Sequence, residues 1–374
     1  MNFLLVNYEY PPVGGGAANA SWHIARALLK HGHSVSVITS AFGALNGYSC
    51  EDGTHVYRVR SWRRLKYRSN IKEMTSFMFA ALFSAHRIVR QKDINGTIVF
   101  FTLPCGPVGL MLKKMYGIPY VVSLRGGDVP GAEPSLDTMH RGLKVMRYCV
   151  LESAKSIAAN SHGLAELSRK TDPFPVRIIP NGVDAEFFKP LEKRESHAFR
   201  FIFAGRFQEQ KNLFFLLSQL AELNRETPVP FEIDLVGDGP LRKDLTTHAE
   251  NLGISKKVSW HGWADKNGLL SLYQQADCML NPSLYEGMPN TVLEAMACGL
   301  PVIASDVIGN RDLVQNNETG LLFPLDRPEE FRRAMSELLM NRNRCKLLGE
   351  NARNTAVKEF SWDKTAFRYE ELFF

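Results

Sequence analysis

Residues 283–305 read SLYEGMPNTVLEAMACGLPVIAS, a turn rich in Gly, Pro and Asn that opens a helix and leads into a short apolar strand. The first four N–H groups of a helix lack partners within it and lie at the positive end of its dipole, so an open turn here would attract an anion such as pyrophosphate. Asn290 or Thr291 is predicted to cap the helix. Glu286 precedes the helix and Glu294 lies about one turn inside it, so both carboxylates are expected to bind hydroxyl groups beside the anion. Thr291 and Glu294 also fit a capping box, in which the acid serves only the cap.

The same alternation of helix and apolar strand extends in both directions from this segment. In the first half, NFLLVN (2–7), SVSVITS (34–40) and TIVFFT (97–102) alternate with helical patterns, and the rhythm restarts at FRFIFAG (199–205). Strands too apolar to be solvated on one face predict parallel sheets covered by helices on both sides. The 374 residues therefore predict an α/β protein with two doubly wound domains, over 1–184 and 185–355.

Composition excludes several classes of protein. With 45% hydrophobic and 22% charged residues the chain is typical of a globular protein, and its net charge of +6 favours anionic partners. The six cysteines form no C-x-x-C pair, which indicates a reducing compartment rather than a zinc site or disulfide framework. We predict no targeting peptide in MNFLLVNYEY, and the longest apolar segment, about 74–85, is too short to span a bilayer.

Two cations lie at the predicted carboxyl edge of the second sheet. In FIFAGRFQEQK, Arg206 follows Gly205 at the end of a strand and Lys211 precedes a helix. If the bound anion is a diphosphate that leaves during a reaction, negative charge develops on it in the transition state. Fixed cations can stabilise that charge. Because the sequence has no Asp-x-Asp triplet, side-chain cations are expected to do this without a metal.

Three other segments supply candidate ligand contacts. Gly237, in the turn VGDGP, permits close backbone approach. Trp263, in WHGW, could stack on a base or pack on its own domain. Gly15 and Gly16 end the loop PPVGGG, which is suited to bringing N–H groups against a ligand. A Rossmann dinucleotide site is disfavoured there, because Asn19 occupies the third glycine position and SVSVITS ends without an acid.

The segment 283–305 resembles the E-x7-E block of family 4 glycosyltransferases, the retaining nucleotide-sugar-dependent enzymes of the GT-B fold, and 205–211 resembles their G-R-x4-K signature. The resemblance implies two Rossmann-like domains facing a central cleft, with the acceptor on the first, the donor on the second, and a terminal helix, about 356–374, packing back on the first. It implies that Glu286 contacts the donor sugar and Glu294 the ribose, while Arg206 and Lys211 bind the donor phosphates. The expected donor contacts are Gly15, Gly16, Gly205, Arg206, Lys211, Gly237, Trp263, Glu286, Gly287, Met288, Pro289, Asn290, Thr291 and Glu294.

The loop SLRGGD departs from the family pattern. Many relatives carry histidine where this chain has Arg125, and an arginine cannot act as a general base because it stays protonated. A proton relay then falls to Asp128, to the acceptor or to the leaving phosphate. Arg125 is expected to bind an anionic acceptor or the donor, or to form a salt bridge with Asp128.

A basic run with interleaved aromatic residues, VYRVRSWRRLKYRSNIK, occupies residues 56–72. Such a run is often a solvated face, but it could also meet RNA or an anionic bilayer. The family resemblance favours a peripheral contact of Arg58 to Lys72 with a membrane that carries a lipid-linked acceptor, and no nucleic acid is expected.

These features predict a metal-independent glycosyltransferase without a cofactor. We expect transfer of a sugar from a UDP- or GDP-linked donor to a hydroxyl of a glycan or lipid-linked acceptor, with retention of configuration, in cell-surface polysaccharide or glycoconjugate biosynthesis. The expected location is the cytoplasm, at the inner face of the cytoplasmic membrane for a lipid-linked acceptor. A nucleotide-sugar 2-epimerase of the same fold is an alternative. A catalytically silent nucleotide-sugar-binding subunit is another, disfavoured because the cations and both acids are present.

Overall fold

A computed structural model describes residues 1–65, 69–133, 136–191 and 198–374. The chain divides into two compact units, one formed by 1–182 with 362–374 and the other by 183–361. Within the described ranges, no helix combines the length and the apolar character that crossing a bilayer requires.

The first unit is built on a sheet whose described strands run in the order β3-β4-β2-β1-β5-β6-β7-β8. Neighbouring strands are parallel except for the antiparallel pair β3 and β4. The strands are β1 (Asn2–Val6), β2 (Ser34–Ser40), β3 (Gly47–Glu51), β4 (Thr54–Val59), β5 (Gly96–Phe100), β6 (Tyr120–Leu124), β7 (Ser156–Ala159) and β8 (Val176–Ile178). The helices are α1 (Gly16–Lys30), α2 (Ile71–Val89), α3 (Gly106–Tyr116), α4 (Asp137–Gly142), α5 (Lys144–Ser153), α6 (His162–Thr171) and, at the end of the chain, α13 (Trp362–Glu371).

The second unit is built on a sheet whose described strands run β11-β10-β9-β12-β13-β14, with parallel neighbours throughout. The strands are β9 (Phe199–Ala204), β10 (Phe231–Val236), β11 (Val258–Gly262), β12 (Cys278–Asn281), β13 (Val302–Ser305) and β14 (Gly320–Phe323). The helices are α7 (Leu213–Glu226), α8 (Arg242–Asn251), α9 (Lys266–Gln275), α10 (Asn290–Ala297), α11 (Pro328–Met340) and α12 (Arg342–Glu359). The predicted α/β class with two parallel-sheet domains is confirmed.

Alternate residues of the buried strands supply the cores on opposite faces of each sheet. In β1, Phe3 and Leu5 join a cluster that includes Ile24 of α1, whereas Leu4 joins a cluster that includes Phe77 of α2. Side chains on a strand point alternately to its two sides, so a strand apolar at every position must be covered on both. This is why the apolar runs form parallel strands rather than half-exposed ones.

The antiparallel strand β3 departs from the prediction, which placed no strand between SVSVITS and the segment that forms β4. Asp52 and Gly53 form the turn between β3 and β4, both with positive φ, at 50° and 84°. An Asp-Gly pair is the preferred sequence for such a tight hairpin turn. Because β3 is a mostly exposed edge strand, it lacks the apolar run that marks the others.

The end of the chain returns to the first unit at α13. Helix α12 continues to Glu359 and belongs to the second unit, so the return starts later than the predicted residue 356. Trp362, the first residue of α13, stacks on His23 of α1 with ring centroids 4.8 Å apart, and Phe373, just after the helix, packs against Phe3 of β1 at 5.2 Å. The terminal helix therefore completes the core beside α1.

Candidate active site

An ion pair joins the two signature segments of the second unit. The Nζ atom of Lys211 lies 2.5 Å from Oε1 of Glu286, and their side chains are only 13% and 7% exposed. Lys211 ends a 3₁₀ turn, Glu209–Lys211, directly before α7, and Glu286 lies on the loop between β12 and α10. Because β9 and β12 are parallel neighbours, the loops that follow their carboxyl ends meet at the same edge of the sheet.

Backbone contacts hold these two loops together. The N–H of Leu284 donates to the carbonyl of Gln210 over 2.8 Å, and the side-chain amide of Gln210 donates to the carbonyl of Tyr285 over 2.8 Å. The positions of Lys211 and Glu286 are therefore set by main-chain geometry as well as by their own attraction. Arg206 lies in the same loop as Lys211, after β9, and is half-buried.

Helix α10 starts without a side-chain cap within the described chain. Its cap is Pro289, in extended conformation at φ −75° and ψ 111°, so the predicted cap at Asn290 or Thr291 is wrong. Both residues are already inside the first turn, because the helix begins at Asn290, one residue earlier than a cap at Asn290 implies and two earlier than a cap at Thr291 implies. Proline has no polar side chain to offer, so the amino end keeps the positive potential that attracts an anion. The turn Gly287, Met288 and Pro289 leads directly into it.

Glu294 faces Tyr273 of α9 rather than the start of its own helix. The Tyr273 hydroxyl lies 3.1 Å from the carbonyl of Thr291 and 3.4 Å from Oε2 of Glu294. Burial raises the pKa of the Glu294 carboxyl to about 7, against the opposing effects of Lys266 and of the Tyr273 hydrogen bond. The capping-box alternative is therefore wrong, since the acid does not serve the cap.

Glycines allow the backbone at this sheet edge to approach closely. Gly237 has φ +133°, and a Cβ atom on it would lie 1.9 Å from the carbonyl oxygen of Gly205. A side chain at 237 would push apart the loops that follow β9 and β10. Trp263 follows β11 on the same edge and is 51% exposed.

A buried polar network at the ends of β12 and β13 supports the loop that carries Glu286. The sequence analysis did not predict this network. The side-chain amide of Asn281 donates to Oδ1 of Asn310 over 2.8 Å, and the Asn310 amide donates to the carbonyl of Ser305 over 2.9 Å. The Ser305 hydroxyl donates to the carbonyl of Ser283 over 2.5 Å. Beside it, a Cβ atom on Gly309 would lie 2.5 Å from the carbonyl oxygen of Gly287. The only signal was polar residues ending the apolar strands CMLNPS and PVIASD.

In the first unit, the glycine loop already holds a protein carboxylate. Helix α1 begins at Gly16 with Gly15 as its cap, and the Gly15 N–H donates to Oε2 of Glu9 over 3.3 Å. The guanidinium of Arg63 donates to the carbonyl of Tyr8 over 3.0 Å and to Oε1 of Glu9 over 3.4 Å. Glu9 and Arg63 thus contribute to the conformation of this loop, for which the sequence analysis had considered only the glycines.

Asp128 organises the loop after β6. Its Oδ2 accepts the N–H of Thr102 over 2.8 Å, and its Oδ1 accepts the N–H groups of Arg125 and Gly126 over 2.9 and 3.1 Å. The residue is 6% exposed. Backbone donors therefore occupy both carboxylate oxygens.

The Arg125 side chain extends to a different set of partners. Its guanidinium donates to Oδ1 of Asn181 over 2.7 Å and to the Tyr369 hydroxyl over 3.4 Å, and lies 4.7 Å from the Phe100 ring centroid. Burial lowers the pKa of Arg125 from its ordinary value, while Tyr369 and Asp128 oppose the shift. Among the described residues the guanidinium makes no ion pair with Asp128, so the salt-bridge alternative is wrong. The contact with Tyr369 ties this loop to α13.

Part of the basic run 56–72 is buried and paired. Arg58 is 6% exposed and donates to Glu51 and to the carbonyl of Pro11, while Arg63 is 8% exposed. These two cations are buried in ion pairs with Glu51 and Glu9, so they cannot contact a membrane. The predicted contact is wrong for these two residues. Arg60, Arg64 and Lys72 are exposed, and the predicted contacts at 66–68 lie outside the described residues.

Comparison with known proteins agrees with this architecture. The two parallel-sheet units are those of the GT-B glycosyltransferases. Two protein-family models match consecutive parts of this chain. The model described as "Glycosyltransferase Family 4" matches residues 14–187, and the model described as "Glycosyl transferases group 1" matches residues 184–355. The chain belongs to the family 4 glycosyltransferases.

Individual proteins are similar over nearly the whole chain. The UDP-Gal:alpha-D-GlcNAc-diphosphoundecaprenol alpha-1,3-galactosyltransferase of Escherichia coli is 24% identical, covering 99% of this chain and 96% of that protein. Sucrose-phosphate synthase from Thermosynechococcus elongatus superposes with a TM-score of 0.87 at 21% identity, over 100% of this chain and 98% of that one. HepE of Anabaena, solved in complex with UDP-glucose, has a TM-score of 0.77 at 18% identity, over 99% and 98%.

Proposed function

We propose that this glycosyltransferase moves a sugar from a nucleotide diphosphate to a hydroxyl of a glycan or lipid-linked acceptor, with retention at the anomeric carbon. The observation that carries the proposal is the Lys211–Glu286 pair at 2.5 Å, whose acid lies on the loop that leads into α10, where Pro289 offers no side-chain cap. A cation suited to phosphate and an acid suited to sugar hydroxyls are thereby held at one point of the sheet edge. The two chemistries are those that a nucleotide sugar presents at adjacent groups.

The diphosphate would be stabilised by protein groups. Lys211 offers a compact ammonium charge and Arg206 a planar fork, while the amino end of α10 adds backbone N–H groups. Such preorganised donors typically contribute about 3–4 kcal/mol each to stabilising a developing anion. We propose that they suffice without a metal ion.

The two acids would bind neutral hydroxyl groups. On donor binding, Lys211 would turn from Glu286 towards the phosphates, which frees the Glu286 carboxylate to accept hydrogen bonds from the sugar. Glu294, one turn inside α10, would accept from the ribose. This division follows from charge, because a carboxylate repels phosphate but binds a hydroxyl.

The acceptor proton would pass to the leaving phosphate. Arg125 remains a cation near neutral pH, and the Asp128 oxygens already accept backbone N–H groups from Thr102, Arg125 and Gly126. We therefore assign Asp128 a positioning role and Arg125 the binding of an anionic group. Of the three acceptors of the proton that the sequence left open, the leaving phosphate has the best support.

The nature of both substrates is proposed from relatives. The Escherichia coli relative is named for a UDP-linked sugar and a lipid-diphosphate acceptor, and HepE was solved with UDP-glucose. These names support a uridine diphosphate donor and a lipid-linked acceptor. We propose more broadly a UDP- or GDP-linked donor and a role in cell-surface polysaccharide or glycoconjugate synthesis. The free cysteines fit a cytoplasmic location, at the inner membrane face for a lipid-linked acceptor.

The direct test is donor turnover by purified protein and matched variants. A thermal-shift panel of UDP- and GDP-sugars identifies the donor, since a bound ligand raises the melting temperature by mass action. Transfer is then measured with chelator present, and the anomer of the product is read by NMR. Lys211→Ala and Glu286→Ala are each expected to lower kcat/KM by at least about a hundredfold.

The control removes a cation of similar type elsewhere in the second unit. Arg332 pairs with Glu226 on the surface of α11 and α7, so Arg332→Ala should leave turnover unchanged. Equal turnover in wild type, Lys211→Ala and Glu286→Ala would overturn the proposal. Epimerisation of the donor without any acceptor would overturn it in favour of an epimerase.

A further inference from the structure

Helix α2 presents a second apolar face to solvent. Phe79 is 55% exposed and Phe83 is 78% exposed. With about 100° of rotation per residue, these rings and the side chain of Arg90 lie within about 40° of one another on the helix surface. Ile71, at the start of the helix, is also 59% exposed.

The packing of α2 in the first unit does not account for this face. Phe77, Ala81, Ala85 and Ile88 form the opposite side of the helix and are buried in the core with β1 and β5. The helix therefore satisfies the core with one face and leaves two phenylalanines outside. Exposed large rings cost solubility, so their presence in a contiguous stripe calls for a partner.

The neighbouring helix α3 extends the surface. Tyr116, in the last residue of α3, has its hydroxyl 2.5 Å from Nδ1 of His86 on α2, which fixes the two helices side by side. Met115 beside it is 58% exposed. The exposed face of α2 and the last turn of α3 are named the α2–α3 face below.

The charge of the α2–α3 face is strongly positive. Its exposed cations are Lys72, Arg87 and Arg90 on or just after α2, and Lys114 and Lys113 on α3; the Lys113 ammonium also donates to the carbonyl of Ser153 over 2.6 Å. The single carboxylate within α2, Glu73, is 6% exposed and serves the helix cap through Asn70. Asp93, exposed just beyond the helix, offsets one of the positive charges.

We propose that the α2–α3 face docks on an anionic lipid bilayer, with Phe79 and Phe83 in the interface and the cations at the headgroups. Rings flanked by lysine and arginine match a surface that is apolar inside and negative outside. A second copy of the chain fits poorly, because a symmetric contact would bring the same cations together. This proposal does not depend on the proposed function, since docking needs neither donor nor acceptor.

The location differs from the one that the sequence suggested. Arg58 and Arg63 of the basic run are buried, so the membrane contact moves from that run to α2 and α3, with Lys72 common to both. The rings supply what a charge run alone lacks, namely apolar area that enters the interface. A single such contact gives reversible, peripheral binding.

The test is co-sedimentation of the full chain with vesicles of phosphatidylcholine alone and with vesicles of an equimolar mixture of phosphatidylcholine and the anionic lipid phosphatidylglycerol. We expect binding to the anionic vesicles that weakens with salt. The double variant Phe79→Ser/Phe83→Ser should lower the partition coefficient by about tenfold or more. Lys72→Glu/Arg90→Glu should lower it by about fivefold or more for each cation reversed.

The matched control replaces two exposed apolar residues of the second unit, Met340→Ser/Leu347→Ser, which are 65% and 57% exposed in the wild type. This control should bind as wild type does, and thermal melting confirms that each variant is folded. The proposal would be overturned if Phe79→Ser/Phe83→Ser and Lys72→Glu/Arg90→Glu both bound anionic vesicles as strongly as wild type does. Equal binding to neutral vesicles, or a concentration-dependent dimer that Phe79→Ser/Phe83→Ser dissociates, would also overturn it.

Discussion

The Tyr273 hydroxyl lies 3.4 Å from Oε2 of Glu294, and partial burial of Glu294 raises the pKa of its carboxyl to about 7. A group whose pKa is higher in the folded than in the unfolded chain stabilises the fold below its unfolded pKa, here the ordinary 4.5. That stability is lost progressively as the pH rises from 4.5 through about 7. The candidate ribose ligand is therefore also a pH-dependent element of stability.

Replacing Glu294 with glutamine should remove this pH dependence. Between pH 5 and 8, about where the group titrates, wild type should lose roughly 2–3 kcal/mol of unfolding free energy from this group, and Glu294→Gln should lose none of it. Urea denaturation at a series of pH values measures both curves. The exposed Glu250→Gln serves as control and should follow wild type. Parallel curves for wild type and Glu294→Gln would show that the carboxyl titrates normally.

The Lys211–Glu286 pair allows stability to be separated from activity. Lys211→Ala leaves a 7% exposed carboxylate without its cation, which should cost about 1–3 kcal/mol of unfolding free energy. Adding Glu286→Gln should recover part of that stability while transfer stays lost. A double-mutant cycle in urea, run beside a transfer assay, provides both readouts. Recovery of transfer together with stability would mean that the pair only holds the loops.

Gly309 is predicted to position Glu286 through the backbone. A Cβ atom there would lie 2.5 Å from the carbonyl oxygen of Gly287 and 2.8 Å from that of Glu286. Gly309→Ala should displace the loop and lower kcat by about tenfold to a hundredfold, because small misplacements of catalytic groups are costly. Steady-state kinetics measure the effect.

The control for this variant has the same backbone conformation without the contact. Gly253 has φ +71°, and no heavy atom of the described residues lies within 4 Å of the point that a Cβ atom would occupy, so Gly253→Ala carries the conformational cost alone. It should lose about 1 kcal/mol of stability and keep full kcat. Equal losses of kcat in both variants would contradict a positioning role for Gly309.

His31 is predicted to fasten α13 in a pH-dependent way. Its Nδ1 lies 2.5 Å from Glu370 Oε1 and its Nε2 lies 2.9 Å from Asp363 Oδ1. Burial opposes protonation, but hydrogen bonds and charge from the two carboxylates outweigh it and raise the pKa of His31 above 6.5. The stabilisation should thus be complete below pH 6.5 and disappear as the pH rises through the folded pKa.

The measurement is the difference in unfolding free energy between wild type and His31→Gln from pH 5.5 to 8.5, about one unit below to two above the ordinary pKa. We expect a difference on the order of 1 kcal/mol at the acid end that shrinks towards the alkaline end. His162→Gln, at an exposed position of α6, should show no such trend. A difference in unfolding free energy that grows with pH would contradict the predicted stabilisation of α13 by protonated His31.

The sequence predicted the fold well because the relevant signals are local. Apolar runs such as SVSVITS need cover on both faces, and the structure places that run in β2 at Ser34–Ser40. The exposed edge strand β3 was not predicted, because its side chains lack that apolar pattern. Asp52 and Gly53 did indicate the turn that follows it. Burial on both faces leaves a mark on composition that an edge strand does not.

The candidate site was predictable in its chemistry and less so in its contacts. Lys211 and Glu286 were chosen separately, and their hydrogen bond joins residues 75 positions apart. Arg58 and Arg63 were expected to be exposed, in a solvated run or at a membrane, because the sequence does not show that they pair with Glu51 and Glu9. Whether a charge is buried depends on which carboxylate the folded chain places beside it.

The amino-acid sequence by itself determined the two parallel-sheet domains and the residue types at the sheet edge, because apolar periodicity and turn chemistry act over a few residues. Only the tertiary structure decided that Glu294 is half-buried near Tyr273, that Pro289 rather than Asn290 caps α10, and that Phe79 and Phe83 remain exposed. Burial and hydrogen bonding depend on residues that packing brings together from far apart in the chain. A one-dimensional pattern therefore names the groups, and the packing sets the surroundings in which they act.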